Sequence, residues 1–196
     1  MEFQPALFDC PSNTYLDGYF QTEKYYSGFE DVIRRDFEFA APPDAKNSAM
    51  LNEISATKNS ISIHVRRGDY VSLASANTFH GICGLDYYDR AIKHAVQHTE
   101  GAPKFFVFSD EPEWAKNNLN LPGVASFIDF NKGKESYNDL RLMRHCNHHI
   151  IANSSFSWWG AWLNPDSKKL VIAPDKWFAS NEKNYVDLIP PTWVKL

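Results

Sequence analysis

The sequence holds no Gly-x-Gly-x-x-Gly and no Gly-x-x-x-x-Gly-Lys-Ser/Thr, which argues against the usual glycine-loop dinucleotide and P-loop sites. It also lacks a Gly-x-Ser-x-Gly elbow of the esterase kind. Its three cysteines, Cys10, Cys83 and Cys146, are odd in number and widely spaced, so neither a disulfide framework nor a zinc site is suggested and a reducing cytoplasm fits best. His145, His148 and His149 cluster without His-Glu-x-x-His or carboxylate spacing, so no metal is expected there. No apolar run reaches the roughly eighteen residues of a membrane span, and no signal-peptide pattern is present. The formal charge of −4 lacks the positive excess of a general nucleic-acid binder. There is no internal repeat and no low-complexity stretch.

What is present is an ordinary core-forming composition. Over 196 residues, 43% are hydrophobic and 15% aromatic, enough for one domain or a domain with an appendage. The aromatic load suits stacking on bases or sugars and equally suits core packing.

The chain is organised around residues 61–70. Ile61, Ile63 and Val65 alternate with Ser62 and His64 as in a strand, and Arg66-Arg67-Gly68-Asp69-Tyr70 leaves its carboxyl end. Fixed positive charge at such a strand end reads as an anion site, since guanidinium matches phosphate oxygens and stays charged. A solvated loop with an Arg–Asp ion pair is the competing reading.

Residues 1–20 read as irregular chain, and 21–37 as an amphipathic helix with Phe20, Tyr25, Phe29 and Ile33 on its core side. Prolines at 42 and 43 end it, and the form of the polar stretch to Asn59 is left open. Beyond the arginines, a loop up to Gly84 is long enough to be a binding loop. Helix 85–97, strand 104–108, helix 111–119, strand 126–130, helix 136–146, strand 148–152, a helix capped by residues 153–155 and strand 170–173 follow. The tail, with Trp177 and Trp193, is expected to wrap over the sheet. This alternation predicts a Rossmann-like, doubly wound parallel sheet of the α/β class.

Three strand ends then form one rim: His64-Arg66-Arg67-Asp69, Ser109-Asp110 and Asn153-Ser154-Ser155, with Asp139 on the helix before the last. A nucleotide sugar needs a carboxylate for base or ribose, an arginine for diphosphate and helix N–H groups for phosphate oxygens. Each element also has a plain role: Ser109 and Ser154 as helix caps, Asp139 as a surface charge, His64 as a structural histidine. Asn153-Ser154-Ser155 matches an N-glycosylation sequon, read here as accidental.

His64-Val65-Arg66-Arg67-Gly68-Asp69-Tyr70, Phe108-Ser109-Asp110 and the tryptophan-rich run from Asn153 to Leu163 resemble the motifs of the α-1,2-fucosyltransferases, glycosyltransferase family 11. The segment from Tyr15 to Tyr26 resembles one found upstream of the arginine motif in that family. The resemblance implies a glycosyltransferase-B architecture, GDP-β-L-fucose as donor, inverting transfer to a galactose 2-hydroxyl on a galactose-terminated glycan, and no cofactor or metal. It further implies that Arg66 holds the β-phosphate and stabilises departing GDP, and that Arg66 and Asp69 are the catalytic residues. His64 and Asp139 would contact guanine, Ser154, Ser155 and the Phe156 backbone would hold phosphate, and Asp110 would shape the ribose side. Arg67 and Asp69 would orient the loop and approach fucose.

The family's first domain opens with a strand and a glycine-rich turn of the kind Gly-Gly-Leu-Gly-Asn-Gln-Met-Phe, which this sequence lacks. The expectation is therefore residues 1–57 as the end of the acceptor-side domain, helical and irregular, and 58–196 as the GDP-sugar-binding half. Two functional readings stand: a fucosyltransferase polypeptide, or a catalytically silent GDP-sugar module needing a partner chain or dimer. Either would be cytoplasmic, free or peripheral at the inner membrane face.

Overall fold

Strand β1 (Ser60–Val65) is buried along its whole length. It pairs in parallel with β2 (Lys104–Ser109) on one side and with β4 (His148–Ile150) on the other. Strands β3 (Val124–Ile128), β5 (Val171–Ala173) and β6 (Val194–Lys195) complete a six-stranded, all-parallel sheet of order β3-β2-β1-β4-β5-β6. The structure, a computed structural model, describes residues 2–68, 81–179 and 185–196.

Helices cover both faces, as a parallel sheet requires. On one, Ile61, Ile63 and Val65 pack with Tyr88, Ala91 and Ile92 of the helix Leu85–His98 and with Ala115 of the helix Pro112–Asn118. On the other, Phe106, Phe108 and Ile128 pack with Ile54 of the helix Ala45–Ala56 and with Leu142 and Met143 of the helix Tyr137–Met143. The same face continues under the helix Ser155–Trp162, where Trp158 and Trp162 meet Trp177, Leu188 and Trp193 of the tail. These helices, with Glu30–Asp36 as the first, are α1 (Glu30–Asp36), α2 (Ala45–Ala56), α3 (Leu85–His98), α4 (Pro112–Asn118), α5 (Tyr137–Met143) and α6 (Ser155–Trp162). The chain moves from β1 outward to β3, then returns to β4 on the other side of β1. That reversal makes the carboxyl ends of β1 and β4 the place where open α/β sheets bind ligands.

The second face of β1 carries Ser62 and His64 into the interior, so their polar atoms need internal partners. Ser62 Oγ lies 2.8 Å from Nδ1 of His149, whose Nε2 lies 2.9 Å from the Asn164 amide. Nδ1 of His148 accepts the Leu170 N–H at 3.0 Å, and Nδ1 of His145 donates to the Arg141 carbonyl at 2.7 Å. The histidine cluster is thus spent on structure. Among the described residues no group of three His, Cys, Asp or Glu is placed to hold a metal.

Two elements differ from the sequence reading, and one that it left open takes a definite form. Residues 21–37 are not one helix: a 3-10 turn (Glu23–Tyr26) precedes α1, with Gly28 between them at φ +85°. A left-handed residue cannot continue a helix, and glycine takes that conformation without steric cost. The polar stretch before β1 contains α2, started by Asp44, whose carboxylate accepts the Asn47 N–H at 2.8 Å. The tail contributes an edge strand, β6, rather than only wrapping over the sheet. No described helix is long and apolar enough to cross a membrane.

The Tyr87 hydroxyl ties α3 to the sheet, 2.6 Å from the Ile151 carbonyl oxygen and 3.2 Å from that of Ile172. Tyr87→Phe should lower stability by about 1–2 kcal/mol through lost bonds to buried carbonyls. Urea denaturation with an unshifted midpoint would show that this hydroxyl holds nothing.

Candidate functional site

At the carboxyl ends of β1, β2, β3 and β4 lies a cavity of about 630 Å³ whose lining includes His64, Arg66, Asp110, Asp139, Ser154 and Ser155. The Arg66 guanidinium meets Asp110 Oδ2 at 3.1 Å, fixing the end of β1 to the end of β2. The same carboxylate accepts the Arg67 N–H at 3.0 Å through its other oxygen. Gly68 lets this crossing close, since a Cβ there would stand 2.7 Å from Asp110 Oδ2 and push the carboxylate aside. The turn after β1 is therefore built around one carboxylate, and that carboxylate aims Arg66.

His64 is buried, and its Nδ1 has no hydrogen-bond partner among the described residues. Burial first, and the nearby Arg66 charge second, push its imidazolium down to about 3. The ring is thus neutral at physiological pH, with one nitrogen to donate and one to accept. Its ring centroid lies 5.8 Å from that of Phe156.

Asp139, on the first turn of α5, is half-buried in the cavity wall. Burial raises its carboxyl to about 7, against the opposing hydrogen bond from the Asn131 amide at 2.8 Å. Asn131 is itself clamped by Asn47, which bonds Asp44 at the start of α2. The relay Asp44–Asn47–Asn131–Asp139 thus fixes one wall of the cavity. Opposite it, α6 begins at Ser154, whose side chain makes no capping bond. The first N–H groups of α6 have no intrahelical partner, so this end can receive an anion.

The sequence profile described as glycosyl transferase family 11 matches residues 2–196. The chain belongs to that family. An alpha-1,2-colitosyltransferase of Escherichia coli is 38% identical over 181 residues, covering 91% of this chain and 61% of that protein. The O-antigen biosynthesis glycosyltransferase WbnK of Escherichia coli is 40% identical over 138 residues, covering 70% of this chain and 45% of that protein. A galactoside 2-alpha-L-fucosyltransferase of Caenorhabditis elegans is 24% identical, with 98% of this chain and 56% of that protein covered. The chain spans about half the length of these relatives. A crystal structure of NodZ alpha-1,6-fucosyltransferase soaked with GDP-fucose overlaps 82% of this chain and 65% of that one, at TM-score 0.44 and 16% identity.

In this family 11 chain the cavity gathers His64, Arg66, Asp110, Asp139, Ser154, Ser155 and Phe156, all singled out from sequence. Arg67 is not among its lining residues. Its Nε bonds Glu111 at 3.2 Å and its guanidinium lies 3.8 Å from the centroid of the Trp114 ring, which holds α4 against the turn. Asp69 lies outside the described residues. Ser109 accepts the Glu111 N–H at 2.9 Å and so serves the start of α4, while it also borders the cavity. Asn153 is buried, its amide donating to the carbonyls of Gly81 and Trp177, which leaves it closed to glycosylation. Sequence reasoning missed Asn131, Lys132 and Ser136 on the wall after β3. The signal was available for Asn131, which follows a strand end as Asp110 and Asn153 do.

Asp139 carries a stability cost that depends on pH. Its folded value of about 7 lies above the unfolded value of about 3.9, so its contribution is full below about pH 4 and lost as pH rises through 7. Asp139→Asn should therefore stabilise the chain by about 1–3 kcal/mol at pH 8 relative to wild type, with the advantage vanishing near pH 4. Urea midpoints measured at both pH values would show a constant difference if burial of the ionised carboxylate cost nothing.

Proposed function

We propose that this chain forms the donor-binding half of a glycosyltransferase-B enzyme, a galactoside 2-α-L-fucosyltransferase using GDP-β-L-fucose. The observation that carries the reading is the convergence of Arg66, the start of α6, His64 and Asp139 on one cavity at the topological reversal of the sheet. The family match over residues 2–196 supports it. In the proposed division at residue 57, α2 is the part of the acceptor-side segment that packs onto the donor sheet.

The chemistry follows from where charge develops. In an inverting transfer the acceptor 2-hydroxyl attacks the anomeric carbon as its bond to the β-phosphate oxygen breaks, both electrons of that bond pass to GDP, and the hydroxyl proton leaves to solvent. Arg66 and the N–H groups opening α6 meet the growing negative charge, a stabilisation greater in the transition state than in the ground state. Asp110 keeps the guanidinium oriented. Ionised Asp139 would accept from the guanine N1–H and amino group, and the partnerless Nδ1 of His64 would gain a ligand contact. The likeness to the alpha-1,2-colitosyltransferase favours one alternative donor, GDP-colitose, which is fucose without its 3-hydroxyl.

Calorimetric titration with GDP-fucose, GDP-colitose, GDP and ADP, with and without magnesium, tests the reading. Metal-independent binding of the guanine nucleotides over ADP is expected. Arg66→Ala should weaken GDP binding by about 2–5 kcal/mol while circular dichroism stays unchanged, since a charged partner of the diphosphate is lost. Because the bound guanine needs an ionised carboxylate, affinity should also fall as pH drops below 7, and Asp139→Asn should flatten that profile. Equal affinity for GDP and ADP, or an Arg66→Ala variant that binds as wild type, would overturn the assignment.

A further inference from the structure

Beside the large cavity is a smaller recess of about 220 Å³, lined by Tyr19, Phe20, Gln21, Tyr26, Ser155, Trp158, Trp159, Trp177 and Leu188, below the roughly 300–1,000 Å³ of a drug-sized ligand site. Ser155, at the start of α6, borders both spaces. The recess walls are mostly aromatic, and the Trp158 Nε1–H is taken up by the Leu188 carbonyl at 2.9 Å. Tyr26 lies nearly parallel to Trp159, with centroids 5.8 Å apart and planes at 22°, and Trp159 is backed by Phe37 at 4.7 Å.

A second observation comes from the backbone. Phe20 has φ +47°, the only described non-glycine residue in the left-handed region, and its carbonyl accepts the Thr22 N–H at 2.9 Å. Such strain persists only where surrounding structure imposes it, and it clusters at ligand clamps. Here it lies in the segment 19–21, all three residues of which line the recess. Apart from Ser155, the enzyme chemistry so far described uses none of the recess residues.

We propose that this recess receives the C5-methyl edge of the donor's 6-deoxy sugar and selects it over a sugar bearing a 6-hydroxyl. The inference rests on the GDP-sugar reading of the larger cavity. With the β-phosphate at the N–H groups opening α6, the sugar bonded to that phosphate begins within one ring of Ser155. An apolar aromatic wall lowers the free energy of a methyl group placed against it, whereas a hydroxyl there loses its hydrogen bonds to water. The volume suits part of a single ring and not a branched acceptor. Gln21 is the one amide side chain on the wall, available to a ring hydroxyl.

The test compares GDP, GDP-fucose and GDP-L-galactose, the last being the fucose donor with a 6-hydroxyl added, by calorimetry on wild type and on Tyr19→Ala and Phe20→Gly. Tyr19 is 79% exposed, so its truncation spares the fold, and glycine accepts φ +47° without strain. Wild type should prefer GDP-fucose over GDP-L-galactose by about 10- to 100-fold, the range in which an apolar pocket rejects an added hydroxyl. Both variants should shrink that preference to a few-fold while their affinity for GDP stays at the wild-type value. A wild-type preference near one, or variants that keep the wild-type preference, would overturn the proposal. Failure of wild type to bind GDP would bring down the donor reading itself, and the recess assignment with it.

Discussion

Full burial of β1 governs this molecule. A strand flanked by β2 and β4 and covered on both faces has its backbone groups consumed by the two ladders. Ile61, Ile63 and Val65 fill one face, while Ser62 is satisfied by His149 and, through it, by Asn164. Only at its carboxyl end can the strand deliver charge to solvent, and there it delivers Arg66. The sheet order makes that end the point of topological reversal, so the guanidinium, the start of α6 and the first turn of α5 come together without long loops reaching for one another.

The site is held by groups that would not be chosen for stability alone. Asp110 splits its two oxygens between the Arg66 guanidinium and the Arg67 N–H, in a position that a Cβ at residue 68 would crowd. Asp139 is kept near pH 7 by burial, although a neutral amide would fit its bond to Asn131. His64 is buried with a nitrogen unpartnered among the described residues. Each is a cost of roughly the size of one lost hydrogen bond, which the hydrophobic packing of both sheet faces can absorb.

Much of this was legible in sequence because the central strands are short apolar runs ending in polar clusters. Phe105 to Phe108 and Ile61 to Val65 could hardly be anything else. The helix α2 was not legible, since Met50, Leu51 and Ile54 are the few apolar residues in a polar stretch and its start depends on an Asp44 side chain that also caps turns elsewhere. β6 has two residues, and its pairing with β5 is a tertiary fact that no local pattern carries. The pair Arg66-Arg67 reads as one basic motif in sequence, yet the two side chains part: one meets Asp110 at the cavity, the other lies on Trp114. The link from Asn47 to Asn131 joins residues 84 apart, which explains why Asp139 could be named from sequence but its support could not.

The aromatic residues show the same division of labour. Trp158, Trp162, Trp177 and Trp193 close the core beneath α6, while Tyr26 and Trp159 stand at the border between that core and the recess. Packing and recognition are thus continuous through one helix. The most direct test of the account is a crystal structure of this chain soaked with GDP. Density for the diphosphate between Arg66 and the N–H groups of Ser155 and Phe156, with guanine against His64 and Asp139, is the predicted result. A nucleotide bound elsewhere, with no diphosphate density at Arg66, would contradict it.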